Sequence, residues 1–157
     1  MDSGTINLTN SEKFQYLALF SPVFRAMFFS DFAERDKEEI VIEDVILEEF
    51  VELLNVIYPT HKPVSNANIE QLLELGNKFH VDYIMDECEC FLMRSDDVET
   101  LTKLIWADQY RLTNLQDACI RKFKSAQEIK ALSQSDKYKK LGDTTKLALL
   151  RRMLKLI

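Results

Sequence analysis

Proline and glycine are scarce in this chain of 157 residues, three of each. So few turn formers favour helices joined by short turns over a strand-rich sandwich. Cysteine is equally sparse. Cys88, Cys90 and Cys119 make an odd set without CxxC spacing, each inside a helical pattern, with no signal peptide before them. That argues against a disulfide framework and for a reducing, intracellular setting, cytoplasm or nucleus. No apolar run approaches the roughly 20 residues that span a bilayer, so a soluble chain with no membrane partner is expected. The two histidines, His61 beside a turn and His80 between helical patterns, lie outside HExxH and outside ligand spacing to any cysteine. The Gly-rich phosphate loops and the GxSxG elbow are missing too. The expectation is no catalytic residue, no metal, no cofactor and no small-molecule substrate: not an enzyme.

What is present is a globular composition, 46% apolar and 29% charged, with a net charge of −6. An acidic chain is a poor nucleic-acid binder, because phosphate contacts need a basic face. The charge is unevenly spread. Asp31 to Glu52 holds ten acids against Arg35 and Lys37, whereas Arg121 to Ile157 holds eleven bases against Glu128, Asp136 and Asp143. Two solvated faces of opposite sign would account for this, as would an acidic docking surface with a basic tail.

Thr5 to Leu8 is weakly strand-like, and Phe14 to Phe20 is an apolar stretch running into Ser21-Pro22. A Ser cap with Pro at the first helical position predicts a short helix over Val23–Phe29, with Val23, Phe24, Met27 and Phe28 facing the core. Ile40-Val41-Ile42 reads as a short strand, and Asp44 as the cap of the helix after it. Leu47, Phe50, Val51, Leu54, Ile57 and Tyr58 recur at three and four, which predicts an amphipathic helix stopped by Pro59, with Leu54 and Ile57 in the core.

The next stretch repeats with a period of 31. Leu73 aligns with Leu104, Gly76 with Ala107, Phe79 with Tyr110, Val81 with Leu112, Ile84 with Leu115 and Cys88 with Cys119. Each copy reads as helix, tight break, helix, with Thr113 and Gln116 as a capping box in the second. Two hairpins are too few for a solenoid, so they must pack on other elements, the Phe14 to Tyr58 segment being the one available. After a polar stretch from Ser125, Leu147, Leu150, Met153, Leu154 and Ile157 predict a last amphipathic helix that closes the array.

The run Leu19-Phe20-Ser21-Pro22-Val23-Phe24-Arg25-Ala26-Met27-Phe28 resembles the central signature of BTB/POZ domains. Ile40 to Val45 resembles the family strand, Phe50 to Tyr58 the helix after it, and Val64 to Leu92, including Leu73 to Val81, the closing helical pair. The likeness covers roughly Phe14 to Leu92. Arg94 to Phe123 then resembles the beginning of the BACK, or three-box, region of substrate adaptors, nearest to the MATH-BTB and speckle-type POZ proteins of the nematode kind. The implied fold class is α+β, mainly α: helical hairpins around a small, shortened sheet at 1–93, with a helical extension at 94–157.

Such proteins bring substrates to cullin-3 ubiquitin ligases through a hydrophobic-x-Glu motif after the Ser-Pro-Val-Phe helix. The resemblance implies that Phe32, Ala33 and Glu34 fill that role here, Phe32 as an apolar anchor and Glu34 as an acceptor of charge-assisted hydrogen bonds. It also implies pairing with other BTB chains through Phe14, Tyr16, Leu17 and Phe20. The family's opening β-hairpin is represented by at most one strand, and no MATH domain is present, so pairing without ligase recruitment is the alternative function. An edge left unpaired by a shortened sheet needs cover.

Overall fold

The structure is a computed structural model that describes residues 4–8, 11–29, 40–59 and 61–157. The chain forms two compact units, Met1–Cys88 and Glu89–Ile157. The first holds strand β1 (Gly4–Leu8), helices α1 (Ser11–Phe20) and α2 (Pro22–Phe29), strand β2 (Ile40–Val45), and helices α3 (Leu47–Ile57) and α4 (Ile69–Lys78). Helix α5 (Asp82–Arg94) crosses the division. The second holds α6 (Thr100–Tyr110), α7 (Thr113–Lys122), α8 (Ala126–Ser133), a 3-10 turn at Asp136–Lys140 and α9 (Asp143–Leu154). This is the expected mainly helical α+β class.

The two strands pair antiparallel, Ile6 opposite Ile42 and Leu8 opposite Ile40. The register slips between Gly4 and Ile6, and Asp44 stands across that slip with φ 57°. Asp tolerates the left-handed region better than most residues, and a bulge is where a strand needs it. Asp44 is therefore not the cap of α3. That helix begins after Ile46 with no side-chain cap, and Glu48 and Glu49 offset the charge of its first turn instead. Lys78 closes the bulge by donating to the Asp44 carbonyl at 2.7 Å.

Ser21 behaves as the sequence predicts and does more. Its hydroxyl accepts from Phe24 N at 3.1 Å, capping α2, and donates to the Phe79 carbonyl. It thereby anchors the start of α2 to the end of α4. The core of this unit is aromatic: Phe24 stacks on Phe79 with centroids 4.6 Å apart and on Phe28 at 5.5 Å, and meets Phe50 edge-on at 6.0 Å.

The 31-residue repeat is structural. The first copy is α4–α5 and the second α6–α7, and the aligned pairs from Leu73/Leu104 to Cys88/Cys119 are buried save Tyr110, which is half-buried. The likeness extends to the break itself. His80 and Arg111, 31 apart, both take left-handed φ, 51° and 58°. The next amide then bonds back five residues in each copy, Val81 N to Gly76 O and Leu112 N to Ala107 O, at 2.8 and 2.9 Å. That is the ending by which a helix satisfies its last carbonyls. The capping box is a correction: the α7 cap residue is Leu112, without a side-chain bond, and Glu89 supplies the acceptor by taking Leu115 N at 2.9 Å.

One position breaks the repeat. Lys103 is buried where the first copy has the buried Leu72. Its Nζ donates to the Ser95 carbonyl, and burial followed by the neighbouring Lys122 lowers its pKa. In the same unit Asp108 accepts from Gly142 N at 2.8 Å and from the Thr145 hydroxyl, which in turn accepts from Gln116. This chain of bonds fixes the start of α9 with Thr145 and Leu149 inward. Leu147, Leu150 and Leu154, the stripe expected to close the array, face outward instead.

Candidate interaction surface

Helix α1 presents the residues expected at a pairing interface, and the structure separates them. Leu17 and Phe14 are buried within the chain, Phe14 against Phe28 at 4.7 Å. Tyr16 and Phe20 are half-buried on the helix's outer flank. Tyr16 donates to the Ile57 carbonyl at 3.0 Å and stacks on Tyr58 at 5.2 Å. Phe20 lies 5.2 Å from Tyr16 and 5.8 Å from Tyr83. Between them Leu19 is 72% exposed, a position that pattern reading misses because the residue falls inside the apolar run leading into Ser21-Pro22. The outward face of α1 is thus Tyr16, Leu19 and Phe20, continued by the rings of Tyr58 and Tyr83. Burial raises the pKa of both these tyrosines, so the face is neutral and apolar at physiological pH.

At the end of α2, Phe29 is half-exposed. Phe32, Ala33 and Glu34, the residues of the hydrophobic-x-Glu motif, lie outside the described residues. They belong to the segment that joins α2 to β2, ten residues long, between Phe29 and Ile40.

Among the described residues no group of His, Cys, Asp or Glu converges as metal ligands would, and no helix is long and apolar enough to cross a membrane. The thiols divide cleanly. Burial pushes Cys88 up to about 12 and also raises Cys119, while Cys90 is exposed. Alkylation at pH 8 should therefore modify Cys90 alone in the folded chain, since the thiolate is the nucleophile. Peptide mapping after a short iodoacetamide pulse checks this, and comparable labelling of Cys88 would contradict its placement.

The first unit thus combines a two-stranded sheet with helices and turns an aromatic face of α1 outward. The family profile of the BTB/POZ domain matches residues 13–96, and the chain belongs to that family, whose members act as protein-interaction adaptors. It is 56% identical over 142 residues to BTB and MATH domain-containing protein 38 of Caenorhabditis elegans, covering 90% of this chain and 37% of that protein. It is 39% identical over 143 residues to BTB and MATH domain-containing protein 36 of the same organism, covering 91% of the chain and 45% of the relative. Kelch-like protein 40 of Xenopus laevis shares 36% over 78 residues, half of this chain and 13% of that protein. The chain thus spans less than half the length of these curated relatives.

Proposed function

We propose that the chain is an adaptor linking partner proteins to a cullin-3 RING ubiquitin ligase, with residues 1–93 as the BTB domain and 94–157 as a helical extension of BACK type. The observation that carries this reading is the Phe32-Ala33-Glu34 motif in the segment between α2 and β2 of a BTB-family chain. The capped α2, anchored by Ser21 to the end of α4, gives that segment a fixed point of departure. Phe29 adds apolar surface beside it. An aromatic anchor entering a pocket on the partner carries most of the energy of such a contact, and a rim carboxylate carries less.

Phe32→Ala should weaken cullin-3 binding by at least ~2 kcal/mol, about thirtyfold, with folding unaltered. Glu34→Ala should cost less. Titration calorimetry with purified cullin-3 N-terminal domain reads both. A wild-type chain that never binds the cullin would move the function to assembly without ligase recruitment, and a Phe32→Ala chain binding as wild type would relocate the site.

The assembly reading has its own support in α1. Tyr16, Leu19 and Phe20 form an outward apolar face of the kind that pairs with another BTB chain, while Phe14 and Leu17 hold the helix in place from beneath. The two readings are compatible, since they call on different residues.

A further inference from the structure

Helices α3 and α9 each turn an apolar stripe outward. On α3 it is Leu47 (55% exposed), Val51 (43%) and the half-buried Leu54, opposite the buried Leu53. On α9 it is Leu147 (47%), Leu150 (46%) and Leu154 (63%), opposite the buried Leu149 and Thr145. Spacings of three and four keep each set on one face.

The borders of the two stripes have opposite charge. Glu48 and Glu52 each follow a stripe residue on α3, and Arg151 and Lys155 do so on α9. A cleft of about 310 Å³ lies beside the first pair, lined also by Glu49, Lys62 and Asn68. One of the same volume lies beside the second, lined also by Arg121, Arg152 and Asp117. The whole units follow suit. Met1–Cys88 carries 17 acids against 6 bases, a net of −11, and Glu89–Ile157 carries 9 against 14, a net of +5.

The geometry points to a second copy of this chain as the occupant: α9 of one copy packs antiparallel on α3 of another. Helix geometry selects that direction. With about 100° per residue, the charged border lies on the same rotational side of each stripe. Two helices brought face to face place such borders on one common edge only when they run antiparallel. The register is then set, with Leu47 against Leu154, Val51 against Leu150, Leu54 against Leu147, Glu48 against Lys155 and Glu52 against Arg151. Three apolar contacts and two ion pairs fall into place together. Pairing α9 with α9 would set its Arg151 and Lys155 border among like charges, and α3 with α3 would crowd carboxylates. Because each copy has one stripe of each kind, the contact joins unlike surfaces, α9 of one copy to α3 of another. A single helix pair buries far less than a standard interface, so the association is weak, concentration-dependent and favoured by low salt.

Complementation tests it. Glu52 already holds Lys62 at 2.5 Å, so Glu48 and Lys155 are the better pair to exchange. In sedimentation velocity at low salt, the wild-type chain should grow in size with concentration. Glu48→Lys and Lys155→Glu, each alone, should associate at least ~tenfold more weakly, because like charges then meet at that edge. Mixed, the two variants should recover wild-type growth, since every junction again joins a base to an acid, and that recovery also shows that both are folded. Any base species formed through α1 is common to all samples and sets only the starting size. The proposal is overturned by wild-type size independent of concentration, by either variant growing as wild type does, or by a mixture that stays as small as its parts. Co-sedimentation with phosphatidylserine vesicles in place of self-association would overturn it as well, assigning the α9 stripe to a membrane.

Discussion

Phe24→Ala should destabilise the fold by about 3–5 kcal/mol, the range for truncating a fully enclosed aromatic side chain. Phe24 is completely buried, and three rings converge on it from α2, α3 and the end of α4. Removing it leaves a cavity whose walls, Phe28, Phe50 and Phe79, are rigid rings that cannot collapse far into the space. Stacked and edge-on ring pairs also add stabilisation beyond their buried area, about 0.5–1.5 kcal/mol each. The Ser21 cap of α2 uses the backbone amide of residue 24, which alanine keeps, so the loss is one of packing. Urea unfolding followed by far-UV circular dichroism should show a lower midpoint. Phe24→Leu should recover much of the difference, since most of the volume returns. A midpoint within error of wild type for the alanine variant would mean that this aromatic cluster is not the core of the first unit.

Much of this architecture is legible in the sequence because the informative residues act locally. Ser21-Pro22 fixes the start of α2 by a cap and a preset φ, and the hairpin repeat shows in six aligned pairs because each copy must bury the same faces. The left-handed breaks at His80 and Arg111 are harder to read, since neither residue is glycine, but the repeat aligns them. What the sequence leaves open is which side of a two-sided helix faces in. α3 and α9 both carry apolar residues on opposite faces, and periodicity finds the stripe without its direction. For α9 the direction is set by Asp108, Gln116 and Thr145, three polar residues far apart in sequence whose bonds hold Leu149 inward. The same holds for caps: Glu89 serves α7 from 26 residues upstream, so a local capping box could not reveal it. The candidate sites divide along the same line. Phe32, Ala33 and Glu34 are proposed from a family motif alone, whereas the outward position of Leu19 emerges only once Leu17 and Phe14 are seen to turn inward.

The two adjacent leucines of α3 offer the sharpest test of that direction. The recurrence of Leu47, Phe50, Val51, Leu54, Ile57 and Tyr58 puts Leu54 in the core, but the structure buries Leu53 completely, with Phe50, Val56 and Ile57, and leaves Leu54 half-exposed beside Val51 and Leu47. Rotating the inward face by one residue costs no apolar burial, because α3 has leucine at both positions. The choice is made by the neighbours: Tyr16 bonds the Ile57 carbonyl, and Phe50 must reach Phe24 and Phe79. With those fixed, helical spacing carries Leu53 inward and Leu54 toward solvent. Leu53→Ala should therefore cost about 2–5 kcal/mol, the range for a leucine removed from a closed core. Leu54→Ala should cost well under half of that, because a half-exposed site leaves no sealed cavity and solvent fills the space. Unfolding midpoints of the two variants, measured side by side, decide between the faces. Equal losses would mean that α3 is enclosed on both sides, and a larger loss at Leu54 would restore the face that periodicity alone selects. The proposed α9 contact depends on the same answer, since Leu54 is available to a partner only if Leu53 is the residue that points inward.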